Sequence, residues 1–246
     1  MSHHKTARSE QDEAWKTVLT SHFQHFMHLL FSSIAQRIDW AQPVEFLDKE
    51  LQKIQRRGRT GKRLADKLVK VAYNSGEEIW LLIHVEIQGR RDDQFAERMF
   101  IYYARIRDLY GKNVSSLAVL ADTDESFRPA SFQLETPGCQ LHFSFAMAKL
   151  LDYRHRIDEL EASDNPFAIV ILTQLQAKLT EGKSRKRLQQ RLMWKKRIAR
   201  LLYHKGWDGD DIRLLFSIMD YMITLPETLE ADYEGYIDAM DEDSGM

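Results

Sequence analysis

Residues 64–88 read LADKLVKVAYNSGEEIWLLIHVEIQ, two runs rich in Leu, Val, Ile and Trp on either side of the Gly-containing segment 74–78. Apolar runs flanking a short turn of this kind signal two antiparallel strands. With the turn centred on Gly76, Tyr73 faces Ile79 and Asp66 faces Glu86. Two carboxylates set opposite each other, with Cβ atoms roughly 4.5–5.5 Å apart, repel and destabilise the sheet. A hard divalent cation such as Mg²⁺, bound by carboxylates, water and phosphate oxygens, would compensate. Alternation sets Trp80, Leu82, His84, Glu86 and Gln88 on one face, and Leu81, Ile83, Val85 and Ile87 on the other. Glu86 and Gln88 are therefore expected to point toward Asp66.

The stretch after the hairpin extends it into a sheet. Residues 90–110 have helical periodicity, with a buried stripe of Phe95, Met99, Tyr102, Ile106 and Leu109. Asp92 or Asp93 can cap the start, and Gly111 can supply the left-handed residue that closes the end. Residues 114–121, VSSLAVLA, read as a strand. A strand, helix, strand unit joins parallel strands through a right-handed crossover. A hairpin feeding such a unit gives an α/β fold with a mixed sheet flanked by helices. Further short strands are expected at 131–135 and 140–145.

The Asp on one strand and Glu-x-Gln at the end of the next resemble the core motif of the PD-(D/E)XK nucleases. FLDKEL, RLADKLVKV, HVEIQ and FAERMFIYYARI, followed by NPFAIVILTQLQAKLT and LLFSIMDYMITLP, are together similar to the Rpn family of recombination-promoting nucleases and putative transposases. This resemblance implies a restriction-endonuclease-like domain over 1–152, a helical extension with an acidic tail over 153–246, and metal-dependent hydrolysis of DNA. It implies Asp66, Glu86 and Gln88 as catalytic residues. Mg²⁺ or Mn²⁺ would be held by Asp66 and Glu86, the backbone carbonyl of Ile87, and Glu50 as a candidate third acid, for which a solvated charge is the alternative. Gln88 stands where the superfamily has lysine, so a positive charge near the attacking water is missing. Arg98 matches a family position, where it would aim at substrate phosphate or brace Glu86 through a salt bridge.

The overall charge is −2, which by itself points to no nucleic-acid partner, but the charges are segregated. Lys49, Lys53, Arg56, Arg57, Arg59, Lys62, Arg63, Lys67 and Lys70 are opposed only by Glu50 and Asp66, a second basic run fills 178–205, and the chain from Asp208 is acidic. Arg56, Arg57, Arg59, Lys62 and Arg63, with Gly58 and Gly61 among them, suit a phosphate backbone, whose counterions they would displace. A solvated loop is the alternative. DNA is the expected partner, with self-association into a homo-oligomer as a second. The chain has no run of about 18 apolar residues, its first twelve residues are polar, and Cys139 is its one cysteine. No membrane partner and a cytoplasmic location are expected.

Elsewhere the reading is plainer. Residues 15–38 have the spacing of one amphipathic helix; its His22, His25 and His28 lack the Cys or Glu that would complete a zinc set. Residues 44–54 fit either a strand or the start of a helix, and the resemblance favours a strand carrying Glu50. His84 shares the Glu86 face and could accept a proton, or be a hydrogen-bonded structural histidine. From Tyr153 the pattern is helical: 167–180 after Asn165–Pro166, then 184–204 and 210–224, with 238–246 an acidic end. Two functional classes follow: a metal-dependent DNA endonuclease, or a catalytically silent DNA-binding or assembly protein retaining the nuclease fold.

Overall fold

The structure, a computed structural model, describes residues 13–56, 67–86 and 92–244. The chain divides into two compact units: residues 19–151, and the described residues before 19 together with those from 152 onward.

The first unit is α/β. Its five-stranded sheet has the order β1 (Glu45–Phe46), β2 (Lys67–Ala72), β3 (Glu78–Glu86), β4 (Val114–Leu120), β7 (Ala146–Lys149). β2 pairs antiparallel with both β1 and β3, while β3, β4 and β7 pair in parallel, so β2 runs against the other four. The remaining strands, β5 (Ser131–Thr136) and β6 (Cys139–Ser144), form a separate antiparallel ribbon at the expected positions. β7 was not anticipated.

The hairpin forms as expected, but two residues out of the expected register. Lys67 pairs with Ile83 and Ala72 with Glu78. The Tyr73 N–H donates to the Glu77 carbonyl, and the Gly76 N–H to the Tyr73 carbonyl, each at 2.8 Å. The loop is therefore the three residues 74–76, centred on Ser75, with Gly76 at φ +85° in its last position. A three-residue hairpin loop ends on a left-handed residue, which explains why the glycine does not mark the centre. The shift is even, so faces are preserved while partners change. The opposition of Asp66 to Glu86 belonged to the other register; Asp66 itself lies outside the described residues.

Helices cover both faces. Leu47, Leu51 and Ile54, at i, i+4 and i+7, place α4 (Asp48–Arg56) over Leu68, Trp80 and Leu82. They meet there Tyr102 and Ile106 of α5 (Phe95–Tyr110). Phe95 and Met99 of α5 continue onto Ala118, Leu120, Phe127 and Phe145. Each fully sealed aliphatic or aromatic side chain in such a cluster contributes roughly 1.5–3 kcal/mol. Gly111, at φ +60°, closes α5 by donating to the Arg107 carbonyl at 2.9 Å, as expected. On the opposite face Phe46 meets Phe23 of α2 (Phe23–Leu30), ring centroids 5.8 Å apart.

Two expectations are corrected here. The single helix over 15–38 is broken into α1 (13–21), α2 and α3 (Ser32–Ala35), because His22 and Phe31 leave helical backbone at φ −119° and −134°. Ile38 bridges Tyr73 instead of continuing a helix. The strand expected to carry Glu50 stops at Phe46, and Glu50 sits in the first turn of α4.

The second unit is helical: α6 (Ile157–Ala162), α7 (Phe167–Leu179), α8 (Arg185–His204), α9 (Gly209–Met222) and α10 (Glu227–Ser244). Asn165 Oδ1 accepts from the Phe167 N–H at 2.9 Å and starts α7, as its sequence signal implied. Trp15 is sealed in this unit, donating through Nε1 to Gln174 Oε1 at 3.1 Å. The acidic end is helical to Ser244 rather than frayed from Asp238. No described helix is long and apolar enough to cross a membrane.

Candidate functional site

Because β3, β4 and β7 run in parallel, their C-terminal ends share one edge of the sheet. Across that edge the register aligns Glu86 with Leu120, and Leu120 with Lys149. β2 begins at the same edge, with Lys67 beside Ile83. In open α/β sheets, ligands bind outside the carboxyl ends of the strands. Glu86 is the last described residue of β3.

The described chemistry at this edge lies in three groups. His84 is sealed, with its ring edge-on to Phe95 at 5.2 Å between centroids. Arg98 is buried, ion-paired with Asp92, its guanidinium 5.6 Å above the Phe95 ring. Its partner here, Asp92, was not among those expected from the sequence, and the Glu86 side chain that it was expected to brace lies outside the described residues. Asp92 also accepts the Gln94 N–H at 3.0 Å, and its carbonyl accepts the Phe95 N–H at 2.9 Å, so it shapes the entry to α5.

The third group was missed by sequence reasoning. Asp122, two residues past β4, and Lys149, the last residue of β7, are both buried. Lys149 Nζ donates to Asp122 Oδ1 at 2.5 Å and to the Phe127 carbonyl at 3.3 Å. Asp122 Oδ1 also accepts the Asp124 N–H at 2.9 Å, while its buried Oδ2 has no hydrogen-bond partner among the described residues. The Asp124 carboxyl is held below its usual range, first by the Ser126 hydroxyl and then by the Ser126 N–H. The signal available was an acidic loop, DTDE, directly after a buried strand.

Asp66, Ile87, Gln88, Arg57, Arg59, Lys62 and Arg63 lie outside the described residues. The side chains of Arg56, which ends α4, and of Glu86 lie outside them too. Glu50 is half-buried and makes no hydrogen bond or ion pair with the described residues. Lys67 is paired with Asp48 at 3.2 Å. Lys70 is paired at the opposite end of the hairpin, 2.6 Å from Glu45, which raises its pKa, chiefly through their hydrogen bond.

Among the described residues no three His, Cys, Asp or Glu side chains form a metal-holding group. Asp92 and Asp122 are engaged by cations. His28 instead lies 5.4 Å from the Trp40 ring, and His22 edge-on to His25 at 5.8 Å. The oxygen donors that the sequence names, Asp66, Glu86, the Ile87 carbonyl and Glu50, would suit a hard ion such as Mg²⁺ or Mn²⁺; of these Asp66, Ile87 and the Glu86 side chain lie outside the described residues. No protein-family model, curated protein or solved structure matches the chain.

Proposed function

We propose that the protein is a metal-dependent DNA endonuclease of the recombination-promoting and transposase-like kind, built on a restriction-endonuclease-like sheet. The observation that carries this reading is Glu86 at the C-terminal end of β3, within a hairpin that feeds a parallel strand, helix, strand unit. That arrangement is what the Rpn resemblance implies.

In this reading Asp66 and Glu86, with the Ile87 carbonyl, hold one divalent ion, and Glu50 contributes a third carboxylate. The bound ion would lower the pKa of the attacking water and neutralise charge on the phosphate. Gln88 orients that water through its amide; it can neither carry charge nor accept the proton as a base. Water adds to phosphorus while a P–O ester bond breaks; the water gives up a proton to solvent, the departing oxygen takes one from solvent, and no covalent enzyme intermediate forms. Arg56, Arg57, Arg59, Lys62 and Arg63 track the DNA backbone.

The test is nicking of supercoiled plasmid with Mg²⁺ or Mn²⁺, against EDTA. Activity should vanish in Asp66→Ala and Glu86→Ala; equal nicking by both variants rules the assignment out. A second reading, a catalytically silent DNA-binding or assembly protein, is favoured by the engagement of Asp92 with Arg98 and of Asp122 with Lys149. Calorimetry that finds no Mn²⁺ binding, together with salt-sensitive DNA binding, would select it.

A further inference from the structure

α8 carries eight Lys or Arg in twenty residues and no Asp or Glu. Five of the eight are engaged within the helical unit. Lys195 is sealed, 2.6 Å from Glu230, 3.1 Å from Asp220 and 4.4 Å above the Tyr233 ring. Arg191 donates to the Thr180 carbonyl at 2.9 Å and the Thr224 carbonyl at 3.3 Å, and Arg187 donates to the Leu179 carbonyl. Lys196 lies 5.1 Å above the Tyr236 ring, and Arg197 pairs with Glu161.

The other three, Arg185, Lys186 and Arg200, and Lys183 just ahead of the helix, are exposed and have no partner among the described residues. Of the acids near α8, Glu161, Asp220, Glu230 and Asp241 are taken up by Arg197, Lys195 and Tyr203, and Glu181 by Lys178. None of the four free cations makes an ion pair with a described acid. Two of them stand in the first helical turn, where the macrodipole disfavours positive charge.

We propose that this exposed face of α8 binds the phosphate backbone of duplex DNA, independently of any metal and of the sheet edge. Lys186, Met193, Arg197 and Arg200 recur at intervals of seven, four and three residues, so they form one exposed stripe, with Lys186 and Arg200 its free cations, Arg197 shared with Glu161, and Lys183 and Arg185 adjoining its N-terminal end. At 1.5 Å per residue the stripe is about 21 Å long, a span over which one DNA strand presents about six phosphates. A membrane surface fits less well: the apolar residues Leu192, Ile198, Ala199 and Leu202 are already buried in the fold and unavailable for insertion.

The experiment is fluorescence anisotropy of a short labelled duplex with the full chain in EDTA, titrated between roughly 50 and 200 mM salt. Neutralising the four free cations (K183Q, R185Q, K186Q and R200Q together) should weaken binding at least tenfold. The slope of log K against log salt should become shallower by about 3 to 4, at about 0.9 per lost phosphate contact. The charge-conserving set K183R, R185K, K186R and R200K should bind like the parent, which separates charge from folding. Unchanged affinity and slope in the neutralised variant overturn the proposal, as does failure of the parent to bind duplex at the low-salt end. Preference for anionic vesicles or an acidic polypeptide over duplex overturns it too. Because EDTA removes cleavage, loss of plasmid nicking leaves this result intact, and the reverse holds.

Discussion

Lys149 Nζ lies 2.5 Å from Asp122 Oδ1 with both side chains sealed from solvent, joining the last residue of β7 to the loop after β4. Removing one partner strands a buried charge, which costs about 3–5 kcal/mol, whereas replacing both with apolar groups of similar volume is close to neutral. Lys149→Met should therefore lower stability by that amount in urea unfolding, and the pair Lys149→Met, Asp122→Leu should recover most of it. A single-variant loss under about 1 kcal/mol would show the pair to be solvated.

The hairpin loop depends on Gly76 at φ +85°. A Cβ there meets no atom within 4 Å, so any cost is conformational rather than steric. Gly76→Ala is expected to destabilise the chain by about 1–2 kcal/mol, and Gly76→Asn by less, since Asn tolerates left-handed backbone. The order of the two denaturation midpoints checks this; equal midpoints contradict the loop geometry.

Burial first, and then the hydrogen bond to Asp241, push the Tyr203 phenol up to about 12 from its ordinary 10.0. The folded chain holds this proton more tightly than the unfolded chain. The resulting stabilisation is complete below about pH 10 and is lost as pH rises through about 12. Tyr203→Phe should flatten the fall in stability across that window. A stability–pH curve parallel to the parent's would contradict the assignment.

Gln88 is assigned to positioning rather than proton transfer, so its loss should be mild. Gln88→Ala is expected to slow Mg²⁺-dependent nicking about tenfold, the equivalent of one hydrogen bond of about 1.4 kcal/mol. The pH profile of the rate should not move. A rate as low as that of Glu86→Ala, or a displaced pH optimum, would assign Gln88 a different role.

The strands of the hairpin were legible because apolar alternation and a glycine turn are local signals. The register was not: it depended on whether Gly76 was the middle or the last loop residue. Residues 44–54 were ambiguous for a related reason. Val44 and Phe46 fit a strand while Leu47, Leu51 and Ile54 fit a helix, and the packing of α4 against α5 decides between them. β7 is four residues, AMAK, without alternation, so Lys149 carried no sign of its pairing with a residue 27 positions earlier. The acidic end looked like a tail because its partner lies on α8: Tyr203 donates to Asp241. At the candidate site the place of Glu86 on β3 could be read from alternation. The Arg98–Asp92 and Lys149–Asp122 pairs could not, since each joins elements whose approach only the packed sheet creates.

The outermost strands of the five-stranded sheet, β1 and β7, are two and four residues long. Margins this short offer an incoming chain few unsatisfied amides to template on, and lengthening the sheet from molecule to molecule is disfavoured at both ends. Any higher-order assembly that uses this sheet must then form across its covering helices, where complementary shape rather than backbone addition decides which surfaces meet.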